Sequence, residues 1–78
     1  MKLPRGVSAD RLIRALERLG YVVICQKGSH VRLRHQALPT HLITVPLHNP
    51  LKTGTLHGIL SEVAGARSTT VEALSELI

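Results

Sequence analysis

The sequence predicts a two-layer α+β sandwich in which helices cover one face of a small antiparallel sheet. Segments with helical spacing of apolar residues lie towards both ends of the chain, and three short runs rich in β-branched residues lie between them. Sequential strands joined by short connections pair as an antiparallel meander, and helices bury their apolar stripes against it. The predicted order is helix, three strands, helix, and an extra short helix.

Length and composition fit one small globular domain. The 78 residues are 44% hydrophobic, and no apolar run approaches the roughly 18 residues of a membrane helix. No linker, repeat or low-complexity tract divides the chain, so we expect a single domain over residues 1–78, with a core at about 8–65 and a terminal helix at about 69–78. The amino terminus has no apolar stretch behind its basic residues, which predicts a cytoplasmic protein without a secretory signal.

The charge balance indicates a partner that is a polyanion. Ten Lys and Arg against five Asp and Glu give a formal net charge of +5, which is typical of nucleic-acid-binding proteins. The single aromatic residue, Tyr21, argues against a platform on which bases stack, so contacts with phosphates or with nucleic-acid shape are favoured. Cys25 has no disulfide partner, and the histidines lack metal-ligand spacing, so we expect neither a metal nor another cofactor.

The first helix has clear limits. Ser8 is a good N-cap, and Gly20 stands where a glycine commonly ends a helix. Between them the apolar residues recur at helical spacing, at Ala9, Leu12, Ile13, Leu16 and Leu19. The outer side, which we expect to be solvated, carries Arg11, Arg14, Glu17 and Arg18.

A hairpin follows, with strands over residues 21–27 and 30–35 and Gly28-Ser29 as its two-residue turn. The turn predicts the register: Lys27 pairs with His30, Cys25 with Arg32, Val23 with Arg34, and Ile24 with Leu33. One face would then be apolar, through Val22, Ile24, Val31 and Leu33. The opposite face would carry Lys27, His30, Arg32 and Arg34.

The remaining elements complete the sandwich. Residues 41–45 read as a third strand that Pro46 stops or confines to a sheet edge. Lys52-Thr53-Gly54-Thr55 introduces the second helix, with a threonine as N-cap and Gly65 as its end. The free N–H groups at this N-terminus, beside Lys52, could bind a phosphate. Thr69-Thr70-Val71-Glu72 has capping-box form and predicts a short amphipathic tail helix.

His30 is the candidate for chemistry. A histidine can act as general acid or base towards a ribose 2′-hydroxyl at neutral pH. Lys27, directly across the ladder, would favour the neutral ring that a base requires, and Arg32 on the same face could hold the scissile phosphate. Gly28 would allow close approach of the substrate backbone, and Ser29 could donate to a phosphate oxygen. An exposed histidine beside a turn is also compatible with a merely solvated residue.

Four short motifs occur together in order over about residues 8–65. They are Leu19-Gly20-Tyr21, then Gln26-Lys27-Gly28-Ser29-His30, then Thr44-Val45-Pro46-Leu47-His48, and finally Lys52-Thr53-Gly54-Thr55-Leu56 with Ile59-Leu60. In this combination the chain resembles the HicA toxin family. The tail helix lies outside the resemblance.

The resemblance implies a double-stranded-RNA-binding-like fold of α-β-β-β-α order and an mRNA interferase, the toxin of a type II toxin–antitoxin pair. It implies that the catalytic histidine is the one in Gly28-Ser29-His30, that no metal is needed, and that a HicB antitoxin is the protein partner. From the residues alone we expect RNA contacts at Lys27, Gly28, Ser29, Arg32, Arg34 and Lys52. A non-catalytic RNA-binding module and a protein that docks an acidic partner are the alternatives.

Overall fold

The computed structural model describes residues 3–78, and its elements follow the predicted order. They are α1 (Ala9–Arg18), β1 (Tyr21–Lys27), β2 (His30–His35), β3 (Leu42–Pro46), α2 (Thr53–Arg67) and α3 (Val71–Ser75). Met1 and Lys2, which begin the segment where we expect no secretory signal, lie outside the described residues. Within residues 3–78, no helix has both the length and the apolar character needed to cross a membrane.

The three strands form one antiparallel sheet in the order β1-β2-β3, with β2 in the centre. Alternate side chains of β2 and β3 point into the core, where they meet the apolar stripes of α1 and α2. The sheet contributes Val31, Leu33, Ile43 and Val45, and the helices contribute Leu12, Leu16, Leu56, Leu60 and Val63. The predicted α+β arrangement of a three-stranded sheet with helices on one face is confirmed.

Strand β1 departs from the predicted register in its middle. The pairs Lys27–His30 and Cys25–Arg32 are as expected, but the register shifts between Val23 and Cys25. Ile24 is left without a partner, which makes it a β-bulge. Val23 therefore pairs with Leu33, and Val22 is the residue that pairs with Arg34.

Because of the bulge, the predicted apolar face is only partly right. Val31 and Leu33 are buried as expected, but Val22 and Ile24 are 42% and 43% exposed. The inserted residue moves Val22 to the face of the sheet that bears Arg34, and β1 is an edge strand of which only Tyr21 is buried. β1 therefore carries apolar side chains on a surface that the sequence pattern assigned to the core.

The helix ends confirm some capping predictions and correct others. Ser8 caps α1, because its hydroxyl oxygen accepts from the Arg11 N–H at 3.1 Å. α2 begins after Lys52 rather than after a threonine, and it runs past Gly65 to end at Ser68, which adopts the left-handed conformation (φ 56°). The Ser68 and Thr69 N–H groups both reach the Ala64 carbonyl, so a non-glycine residue closes this helix.

The tail helix α3 forms where it was expected. Its N-cap is Thr70, whose hydroxyl accepts from the Ala73 N–H at 3.1 Å, so the predicted cap between Thr69 and Glu72 is not the one used. Leu74 is buried in the core. α3 thus belongs to the same packed structure as the sheet and the two longer helices.

Candidate functional site

The face of the sheet that the helices leave open carries three cross-strand rows of side chains. Directly paired residues share a face, and residues two apart along a strand do so as well. The tip row is Lys27, His30 and Pro46; the middle row is Cys25, Arg32 and Thr44; the outer row is Val22, Arg34 and Leu42. His30 and the two arginines thus form the central column of this face, along β2.

The turn at the tip of the hairpin places His30. Gly28 has a φ of 58°, and Ser29 is not in the left-handed region, as in a type II′ hairpin turn with glycine at its first position. The Ser29 carbonyl accepts a hydrogen bond from the Leu47 N–H at 2.7 Å, which extends the β2–β3 pairing beyond the tip row. His30 is therefore held by ladder bonds on both sides and not by a loose loop.

Five residues of the tip and middle rows line a depression of about 580 Å³. Its walls are Cys25, Lys27, His30, Arg32 and Thr44. The structure thus brings together the predicted residues Lys27, His30 and Arg32. A ligand that contacts the His30 ring in this depression also comes within reach of both cations.

Two residues of the depression, Cys25 and Thr44, are absent from the predicted site. The sequence placed Cys25 opposite Arg32 but assigned it only a structural role. Thr44 pairs with Arg32 from the other side. Alternation along β3 was the pattern that could have found Thr44, because Ile43 and Val45 face the core and leave it on the open face.

The open face is strongly cationic. Lys27, His30, Arg32 and Arg34 are all exposed. Across residues 3–78 the one basic side chain in contact with a carboxylate is His41, beside Glu62, so Lys27, Arg32 and Arg34 have no carboxylate partner there. The side-chain hydrogen bonds made by histidines in this range involve His35, His41 and His57, which leaves the His30 ring free to meet a ligand.

The other predicted contact residues do not line the depression. Arg34 lies in the outer row, next to the depression but not among its lining residues. Gly28 and Ser29 form the turn beside it. Lys52 is exposed at the N-cap of α2 and does not line the depression. In the part of the chain from residue 3 onwards, no three His, Cys, Asp or Glu side chains are grouped so that they could hold a metal ion.

A polar cluster with buried His35 and Tyr21 at its centre lies at the opposite end of the sheet. His35 Nε2 donates to the Leu19 carbonyl at 2.8 Å, and Arg67 donates to His35 Nδ1 at 2.8 Å. Nearby, His41 joins the Tyr21 hydroxyl to Glu62, with distances of 2.7 and 3.0 Å. Sequence reasoning assigned no role to these histidines; the cluster ties α2 to the sheet and is remote from His30.

Comparison with known proteins agrees with the motifs. The family model described as the HicA toxin of bacterial toxin–antitoxin systems matches residues 9–65, which include α1, the whole sheet and most of α2. Neither the curated protein sequences nor the solved structures provide a match. The match spans the larger part of the chain and the whole of the open sheet face, so the chain belongs to the HicA family of toxins from bacterial toxin–antitoxin systems.

Proposed function

We propose that this protein is an mRNA interferase, an endoribonuclease that works without a metal ion and uses His30 as its catalytic residue. The observation that carries the proposal is the position of His30 in an exposed depression between Lys27 and Arg32, in a member of a toxin family. A basic chain with one aromatic residue fits a substrate held through its phosphates.

The reaction needs only the substrate's own hydroxyl as nucleophile. His30 removes the proton from a ribose 2′-hydroxyl, and the 2′ oxygen attacks the adjacent phosphorus. The bond from phosphorus to the 5′ oxygen breaks, and this oxygen leaves with a proton from solvent. The products are one strand that ends in a 2′,3′-cyclic phosphate and one that begins with a 5′-hydroxyl.

The neighbours of His30 have complementary roles. Lys27 lies directly across the ladder from His30 and offers its ammonium group to an RNA phosphate beside the imidazole. Arg32, two residues along β2, offers a guanidinium to the non-bridging phosphate oxygens, where negative charge grows in the transition state. Ser29 donates to the same phosphate, and Gly28 leaves the turn open for the RNA backbone.

The protein partner follows from the family. A toxin of this kind has a cognate antitoxin, and we propose one of the HicB type that binds and neutralises the toxin in the cytoplasm. The α-β-β-β-α order is compatible with the double-stranded-RNA-binding-like fold that the sequence resemblance implies. Lys52, which follows the loop at residues 47–51, is an outlying candidate for an RNA contact.

Cleavage of labelled RNA by the purified protein tests the assignment. We expect the wild type to cut with and without a chelator, and His30→Ala to be slower by about 100-fold or more. His57→Ala is the matched control, because this exposed histidine lies on α2, and it should cut like the wild type. Equal rates for His30→Ala and wild type would remove His30 from catalysis, and loss of activity with chelator would point to a metal.

A second substrate tests the chemistry. A single 2′-deoxyribose at the cleaved position removes the nucleophile and should abolish cleavage there, and the intact substrate should give cyclic phosphate ends. In cells, expression of the wild type should arrest growth and expression of His30→Ala should not. RNA that is bound in a salt-sensitive manner but remains intact would favour the non-catalytic RNA-binding module, and lack of RNA affinity at moderate salt would favour an acidic protein partner.

A further inference from the structure

The outer row is chemically unlike the two rows that line the depression. Arg34 stands at its centre with Val22 on one side and Leu42 on the other. Val22 is 42% exposed and Leu42 is 48% exposed. A cation flanked by two exposed aliphatic side chains, on the same face as His30, is not explained by packing or by the cleavage step.

The central column of the open face has a regular spacing along β2. His30, Arg32 and Arg34 alternate along the strand, so neighbouring members are about 6.7 Å apart along its axis. This repeat is comparable to the separation of neighbouring phosphates in an extended RNA strand. Arg32 binds the scissile phosphate in the proposed mechanism, so a strand that runs along β2 brings its next phosphate to Arg34.

We propose that the outer row is a subsite for the nucleotide that adjoins the cleaved phosphodiester in single-stranded RNA. This inference rests on the proposed endoribonuclease function. The Arg34 guanidinium binds the phosphate of that nucleotide through charge-assisted hydrogen bonds. Val22 and Leu42 pack against its base, which supplies apolar contact area where the sheet has no aromatic side chain.

The geometry favours an unpaired strand over a duplex. In a duplex the faces of a base are covered by its neighbours in the stack, so they are not available to Val22 and Leu42. The 2′-hydroxyl can also reach the in-line position behind the phosphorus only where the backbone is free to leave A-form geometry. The outer row thus narrows the substrate class to unpaired stretches of RNA.

Continuity with the depression favours RNA over a protein as the occupant of this row. Arg34 is next to Arg32 on the same strand face, and in residues 3–78 no carboxylate forms a salt bridge with it. An RNA strand that binds in the depression and continues along β2 places its next phosphate at Arg34. Binding of the antitoxin to the outer row is the competing explanation, and the experiment below separates the two.

The experiment compares short substrates that do and do not reach the outer row. We measure kcat/KM for a dinucleotide with one phosphodiester and for trinucleotides extended by one nucleotide at either end. One of the two extensions should raise kcat/KM about tenfold in the wild type. Arg34→Gln should reduce this gain about fivefold, and Leu42→Ser and Val22→Thr should each reduce it about threefold. If the added nucleotide is abasic, the gain should lose its dependence on Leu42 and keep its dependence on Arg34.

Three matched controls lie outside the proposed subsite. Arg11→Gln removes an exposed arginine of α1, in the layer on the other side of the sheet. Leu38→Ser removes a leucine that is 88% exposed in the loop between β2 and β3, and Val23→Thr alters the neighbour of Val22 that pairs with Leu33. All three should keep the wild-type gain, and near-wild-type circular dichroism shows that each variant is folded.

Equilibrium binding separates a failure of the subsite from a failure of the proposed function. In His30→Ala protein, fluorescence anisotropy with the same oligonucleotides should show the same gain in affinity and the same losses in the outer-row variants. If the wild type cuts no RNA but this affinity pattern holds, the nuclease function fails and the subsite stands. The subsite is overturned if the gain in affinity is unchanged in all three outer-row variants, if a base-paired oligonucleotide shows the same gain, or if these variants weaken only the complex with the antitoxin.

Discussion

Arg67 of α2 donates a hydrogen bond from Nη1 to Nδ1 of His35 on β2, at 2.8 Å. The same ring nitrogen accepts from the Ala37 N–H at 3.1 Å, and Nε2 donates to the Leu19 carbonyl at 2.8 Å. Only a neutral imidazole with its proton on Nε2 satisfies all three bonds. These bonds connect the last turn of α2 to β2 and to the end of α1, and the His35 side chain that makes them is buried. The histidine that supports the fold is therefore distinct from the histidine that faces solvent at the hairpin tip.

The first prediction concerns this junction. Arg67→Met keeps the apolar stem but removes the donors to His35 Nδ1 and to the Pro39 carbonyl. We expect the free energy of unfolding to fall by about 2 kcal/mol, because both acceptors lose a charged donor. Urea unfolding followed by circular dichroism measures it. Arg11→Met, at an exposed position of α1, should change stability by less than about 0.5 kcal/mol, and an equally small effect of Arg67→Met would show that the junction is not stabilising.

The second prediction concerns the close approach of Gly20 to His35. Gly20 has a φ of 107°, and a Cβ added there would lie 2.8 Å from His35 Nε2. Gly20→Ala should therefore destabilise the fold by about 2 kcal/mol or more, through backbone strain and displacement of the imidazole. Gly58→Ala is the control, since nothing lies within 4 Å of the added methyl group in α2, and it should raise stability by about 0.5–1 kcal/mol. Thermal unfolding of the two variants should shift in opposite directions; a shift of both in one direction would contradict the argument.

The third prediction is a pH dependence that resides in Tyr21. His41 Nε2 donates to the Glu62 carboxylate, so in the neutral imidazole Nδ1 accepts from the Tyr21 hydroxyl at 2.7 Å. Burial raises the pKa of Tyr21 above its ordinary value of 10.0, with Arg67 opposing this effect and Glu62 adding to it. The folded protein thus keeps a proton that the unfolded chain loses above about pH 10, so this contribution to stability is present below pH 10 and is lost as the pH rises further.

Tyr21→Phe isolates that contribution. Near neutral pH the wild type should be more stable than Tyr21→Phe by about 1 kcal/mol, the value of the lost hydrogen bond. The difference should stay constant up to about pH 9 and shrink above pH 10, because only the wild type has a phenol to ionise. Denaturant unfolding of both proteins between pH 7 and 11 measures it. A difference that grows with alkaline pH would mean that the Tyr21 proton is not held more tightly in the folded state.

The parts of this molecule that local patterns dictate could be predicted from the sequence. The turn at Gly28-Ser29 fixed the pairs nearest to it, and the alternation of β2 placed His30, Arg32 and Arg34 on one face. The cap at Ser8 and the order of all six elements also follow from local chemistry. The central column of the site was therefore predictable without knowledge of tertiary contacts.

The parts that tertiary packing decides could not be predicted in this way. The bulge at Ile24 changes which face Val22 occupies, and no residue type in β1 indicates it. α2 continues to Arg67, whose side chain bonds to His35 and to the Pro39 carbonyl, so Gly65 was a misleading stop. The alternation of β3 places Thr44 on the open face, but its position beside Arg32 depends on the register between β2 and β3.

The last prediction measures how many phosphates the open face holds. In His30→Ala protein, Lys27, Arg32 and Arg34 remain as exposed cations, so about three counterion-releasing contacts with single-stranded RNA are expected. A plot of log Kobs against log salt concentration should then have a slope of about −2, since each contact contributes about −0.7 on a single strand. Arg34→Gln should reduce the slope to about −1.4, and Arg11→Gln should leave it unchanged because Arg11 lies in the helical layer. Fluorescence anisotropy across a salt series gives the slope. If Arg11→Gln lowered the slope as much as Arg34→Gln, the RNA would be held by the net charge of the protein and not by the three cations of the open face.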